Sequence, residues 1–164
     1  MSTRYGSATV ELPSDTTILI TRAFDAPAAL IFRTLTEPEL VKRWWGFEDA
    51  QWQVCEIDLR VGGTWRYVVR QPCESEPDME VAFHGEYREI DVPCLLVSTE
   101  VFEGIPDAEA LVSTTLDERD GVTTMRVLVQ HSCKEHRDGH VASGMEVGMQ
   151  VSYNRIEDLL GELT

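Results

Sequence analysis

Between residues 51 and 131 apolar side chains recur at every second position, segment after segment; beyond residue 143 they recur at every third or fourth. The first spacing belongs to strands with one buried face, the second to a helix with one buried stripe. The period-two segments are 51–59, 64–71, 81–90, 95–102, 110–118 and 122–131. Gly62-Gly63, the acidic stretch 72–77, Pro93, the stretch 104–106 and Asp120-Gly121 punctuate them. Links this short leave no room for crossover helices, so the segments pair as an antiparallel meander. Arg119-Asp120-Gly121, between the last two segments, is a strong hairpin signal.

The final helix is expected over residues 143–160, with Met145, Met149, Tyr153, Ile156 and Leu160 on one face. Gly144 and Gly148 fall beside that face. Each costs about 1 kcal/mol against alanine in a helix, so close approach of another surface, or room for a ligand, is expected there. Upstream, residues 16–24 read as a strand. Asp25-Ala26-Pro27 closes it and opens a helix over 28–35, with Asp25 as cap and Leu30, Ile31 and Leu35 buried. Thr36 caps a second short helix with Pro38 in its first turn, Leu40, Val41 and Trp44 on one face, and Gly46 at its end. Residues 1–14 are polar and small, a loosely held arm, and 15–164 form a single domain. The expected fold class is α+β: a curved seven-stranded antiparallel sheet wrapped around a long C-terminal helix, with two short helices after strand one.

The 164 residues carry 29 acidic and 14 basic side chains, a net charge of −15. That excess excludes nucleic acid, whose phosphates demand lysine and arginine. No apolar run reaches the length of a membrane span, and the first residues lack the apolar core of a signal peptide, so a cytoplasmic location is expected. Cys55, Cys73, Cys94 and Cys133 show no CxxC spacing and read as free thiols.

Trp65 and Tyr67 alternate on one strand face, and Phe83 and Tyr87 on the next. With Trp44 and Trp45 from the helical elbow, and Met145, Met149 and Tyr153 from the last helix, they form the candidate ligand-binding set. Such a lining suits a small apolar or aromatic molecule, or equally a filled core. His84, Glu86, Glu100 and Arg66 are the polar candidates of the same strands. Period two turns His84 and Glu86 away from Phe83 and Tyr87, toward solvent, so no catalytic residue is assigned. His131, Cys133, His136 and His140 are the one metal-like cluster; Gly139 between the last two histidines, and a capping-box pattern over 132–135, favour an exposed lead-in to the final helix. No metal or cofactor is expected. Gly62-Gly63 lacks a following helix and reads as a tight turn rather than a phosphate loop. Asp58 and Arg60 before it are expected to pair with each other or with neighbours, in a structural role.

Arg22-Ala-Phe-Asp-Ala-Pro27, Thr36-Glu-Pro38, Trp44-Trp-Gly46, Asp58-Leu-Arg-Val-Gly-Gly-Thr-Trp-Arg66, Gly85-Glu-Tyr87 and Ser143-Gly-Met-Glu-Val-Gly148 appear in order. Over about residues 16–160 the chain resembles the heat-shock-protein-90 ATPase activator homologue family of the START-like, polyketide cyclase-like superfamily (SRPBCC). The resemblance implies the helix-grip fold. Superfamily members bind lipids, sterols, polyketides or plant hormones, and a few catalyse cyclisation or ring chemistry, so function does not follow from fold alone. The eukaryotic activators carry a separate N-terminal domain for their main chaperone contact, for which this length leaves no room. Three readings result: a module binding a small hydrophobic molecule between sheet and helix, a cyclase- or hydrolase-type enzyme using the same cavity, and a chaperone-cofactor-like interaction module. A homodimer stays open in each.

Overall fold

The computed structural model describes residues 4–46, 50–71 and 79–164. Along the chain run β1 (Thr9–Glu11), β2 (Thr17–Phe24), α1 (Ala28–Thr36), α2 (Pro38–Trp44), β3 (Gln51–Ile57), β4 (Thr64–Gln71), β5 (Met79–Asp91), β6 (Leu95–Phe102), β7 (Ala110–Arg119), β8 (Val122–Gln130), α3 (Lys134–Ala142) and α4 (Met145–Leu163). The strands form one sheet in the order β1-β2-β8-β7-β6-β5-β4-β3. Every pairing is antiparallel. Register shifts between Trp52 and Val54, and between Tyr87 and Glu89, interrupt the ladders; such bulges increase twist and bend a sheet.

The helix-grip architecture read from the sequence is present, with eight strands among the described residues where seven were expected. The added strand is β1, inside the segment expected to be a loose arm. Its three residues lack strand periodicity, but Val10 pairs with Ile20. The residues before it also hold α4. The Arg4 N–H donates to Glu157 Oε1 at 3.0 Å, the Gly6 N–H to Asn154 Oδ1 at 3.1 Å, and the Ala8 N–H to Gln150 Oε1 at 3.3 Å. Gln150 Nε2 returns a bond to the Ala8 carbonyl at 2.7 Å.

Two apolar cores form at the two ends of the sheet. In the first, Met149, Tyr153, Ile156 and Leu160 of α4 pack with Ile18, Ile20 and Phe24 of β2, Met125 and Val129 of β8, and Ile31 and Phe32 of α1. In the second, Val41 of α2 packs with Trp65, Tyr67 and Tyr87, backed by Trp45, Trp52 and Phe83. Arg22 is enclosed in the first core, its guanidinium bonded to Glu157 at 2.8 Å and lying 4.6 Å from the centre of the Phe24 ring. An unpaired charge there would cost several kcal/mol.

Local details differ from expectation for identifiable reasons. Pro27, not Asp25, is the N-cap of α1; Asp25 instead pairs with Arg4, and Glu118 Oε1 accepts the Ala28 N–H at 2.7 Å. Glu37 caps α2, because Thr36 remains helical as the last residue of α1 and bonds back to the Phe32 carbonyl. The lead-in at 134–142 is a full helix, α3, whose N-cap Cys133 makes no side-chain cap bond. Gly144 lies between α3 and α4 at φ +83°, a conformation that favours glycine. A Cβ at Gly144 or at Gly148 would meet nothing within 4 Å, so neither glycine marks close helix packing. Glycine is required at Gly85, where a Cβ would collide with the Thr99 carbonyl and the Trp65 indole nitrogen. Asp58 and Arg60 pair at 2.9 Å. Cys55, Cys94 and Cys133 are free, and Cys73 lies outside the described residues. No described helix is long and apolar enough to cross a membrane.

Candidate functional site

Between the two cores the side chains leave a two-lobed hollow. The lobe beneath α2 measures about 150 Å³ and is walled by Trp65 and Tyr67 of β4, Tyr87 of β5, and Leu96 and Ser98 of β6. The lobe beneath α4 measures about 290 Å³, with Met145, Met149, Ser152 and Tyr153 above it and Ile20, Met125, Val127 and Val129 below. Leu35, Trp44, Trp45, Glu100, Val112 and Thr114 line both. The volume lies near the lower end of small-molecule sites.

Eight of the nine residues singled out from sequence meet here. Trp44 and Trp45 border both lobes; Trp65, Tyr67 and Tyr87 border the first, and Met145, Met149 and Tyr153 the second. The Trp44 ring is fixed by its Nε1–H, which donates to the Thr34 carbonyl at 2.9 Å. Phe83 borders neither lobe. Trp45 stands against it with ring centres 5.4 Å apart, and Phe102 packs at 5.1 Å, so Phe83 supports the wall from outside it.

Sequence reasoning did not single out Glu100 for this site. Grouped with His84, Glu86 and Arg66, it is separated from them by the fold. His84 and Arg66 lie on the outer face of the sheet, where both bind Glu103. His84 Nδ1 is 3.0 Å from Glu103 Oε2, and Arg66 donates from Nε at 2.9 Å and Nη2 at 3.0 Å. Arg66 first, then His84, hold the Glu103 carboxyl down to about 2. Glu100 has the opposite setting. It is half-buried, and the surface it keeps opens on the hollow; desolvation pushes its carboxyl up to about 7. Burial likewise raises the phenols of Tyr67, Tyr87 and Tyr153.

The pattern that would have found Glu100 points the wrong way. Leu96, Ser98 and Glu100 face the hollow, while Leu95, Val97, Thr99 and Val101 on the other parity read as the more apolar face. Thr99 and Val101 are indeed buried, so β6 is covered on both sides and alternation loses its meaning.

Of the histidine cluster, His140 reaches the second lobe and its Nδ1 lies 3.0 Å from His131 Nε2. Burial lowers both histidines, His131 to about 4, so near neutral pH one ring donates and the other accepts. His136 turns instead to Ser132 at 3.2 Å. Among the described residues no group of three or more metal-ligating side chains forms.

A family model, Activator of Hsp90 ATPase homolog 1-like protein, matches residues 25–161. The chain belongs to that family. Comparison with curated proteins gave no match. Solved structures agree on the fold. A protein from Rhodobacter sphaeroides superposes with a TM-score of 0.85 at 23% identity, covering 94% of this chain and 99% of its own. Protein Ms6760 from Mycobacterium smegmatis gives 0.82 at 25% identity, covering 96% and 99%. DynU16, a protein in the dynemicin biosynthetic locus, gives 0.66 at 19% identity, covering 91% of this chain and 48% of its own.

Proposed function

We propose that this member of the family binds a small, largely apolar aromatic molecule in the hollow between the sheet and α4. The observation behind this reading is the wall itself: tryptophan, tyrosine and methionine side chains from α2, β4, β5 and α4 converge on one space without filling it. Such walls supply dispersion and ring contacts without demanding one ligand shape. The family's fold, shared with a protein of a biosynthetic locus, is compatible with that use.

The test is a thermal-shift screen of the purified protein against polycyclic, lipid and aromatic compounds, read in parallel by tryptophan fluorescence. A ligand at one hundred times its dissociation constant adds about 2.7 kcal/mol of stability. Met149→Trp is expected to fill the second lobe and abolish binding at small cost. A loss of about 1–3 kcal/mol in that variant, the range of an overpacked core, together with a flat screen, would overturn the reading.

A second reading, acid–base chemistry on the bound molecule, draws on Glu100. A carboxyl held at about 7 both gives and takes protons near neutral pH. Turnover of any ligand found, lost in Glu100→Gln while binding persists, would establish it.

A further inference from the structure

The charges around the hollow are one-sided. Among its described lining residues there is no lysine and no arginine; the charged side chain is Glu100, which borders both lobes. The same hollow is lined by an aromatic cluster. Trp45 lies 5.2 Å from Tyr67, and Trp65 lies 4.7 Å from Tyr67, centre to centre. Aromatic faces carry negative charge density and attract cations, most strongly when water is excluded. An anionic ligand would meet a carboxylate and ring faces with no cationic side chain to oppose it. The chain's net charge of −15 adds a long-range field of the same sign.

Resting on the reading of the hollow as a small-molecule site, we propose that its ligand is an organic cation: an aromatic or polycyclic amine whose ammonium group pairs with Glu100 inside the aromatic wall. The rings of Trp44, Trp45 and Tyr67 cover the apolar body, and the carboxylate takes the N–H bonds. Glu100 forms no hydrogen bond or ion pair with another described side chain that would compete for it, and its raised carboxyl has burial as its cause. The other titratable groups facing the hollow are the Tyr67 and Tyr87 phenols from the sheet, Tyr153 from α4 and His140 from α3. The phenols are raised and stay neutral, and His140 is lowered and is largely neutral at pH 7 and above. Cation binding selects the ionised carboxylate, so below about pH 7 it expels a proton, and affinity falls as pH falls.

Three naphthalenes of matched shape test this by calorimetry at pH 8: 2-naphthylmethylamine as the ammonium, 2-ethylnaphthalene as the neutral form and 2-naphthoate as the anion. The ammonium is expected to bind about tenfold or more tightly than the hydrocarbon, with naphthoate the weakest. Glu100→Gln is expected to erase the ammonium's advantage and leave the hydrocarbon within about twofold. A measurement needing no variant is the protons released by wild-type protein on binding the amine at pH 6.5, obtained from buffers of different ionisation enthalpy. Equal binding of amine and hydrocarbon, an advantage that survives Glu100→Gln, or no proton release overturns the cation proposal alone. Failure of all three compounds to bind overturns the proposal together with the small-molecule reading beneath it.

Discussion

Glu100 and Glu103 are three residues apart in sequence and opposite in circumstance. Glu103 lies on the outer face of the sheet, held by Arg66 and His84 down to about 2. Glu100 lies on the wall of the hollow and is pushed up to about 7 by burial. The same side chain is thus a finished structural pair in one place and an unspent acid in the other. The polar constellation easiest to suspect, histidine beside carboxylate, is the one whose bonding capacity is already used; the carboxyl available for a ligand has no histidine partner.

The largest expected effect follows from the opposite signs of these shifts. Glu100 in the folded state keeps a proton that the unfolded chain gives up near 4.5. Its contribution to stability is therefore complete below about pH 4.5 and lost as pH rises through about 7. The loss is on the order of 3 kcal/mol, and Glu100→Gln removes it. Urea midpoints at pH 4.5 and pH 8 should show the variant gaining on wild type by about that amount; a difference independent of pH would mean that Glu100 ionises normally. A smaller effect is expected on giving the inner carboxyl a partner like that of the outer one. Ser98 lies two positions from Glu100 on the same face of β6. Ser98→Lys should lower the Glu100 titration midpoint by roughly 1–3 pH units, read by carboxyl carbon resonances, and an unchanged midpoint would break the comparison. The smallest effect belongs outside. Glu103→Gln should cost under about 1 kcal/mol at neutral pH, less in high salt. That cost should vanish near pH 2, because Glu103 contributes above about 4.5 and loses its contribution as pH falls through about 2.

Where one face of an element is wet, the sequence reads well. α4 shows its buried stripe at Met149, Tyr153, Ile156 and Leu160, and β4 shows its inner row at Trp65, Tyr67 and Val69. Legibility fails where both faces are covered or where a partner supplies the order. β6 conceals Glu100 because Thr99 and Val101 are buried on its other side. β1 is ordered by pairing with β2 and so has no pattern of its own. Phe83 has the right parity, but Trp45 comes between it and the hollow, a matter of side-chain reach that alternation does not carry.

The bonds between the N-terminal residues and α4 run largely through the main chain of Arg4, Gly6 and Ala8. A main-chain donor is indifferent to the side chain it carries, so this strap tolerates substitution and is sensitive to length. One residue inserted or deleted between Arg4 and β1 would put several of these bonds out of step at once, and α4 would lose the tether that keeps Met145, Met149 and Tyr153 over the larger lobe. The dimensions of that lobe are in this sense set by a count of residues at the far end of the chain.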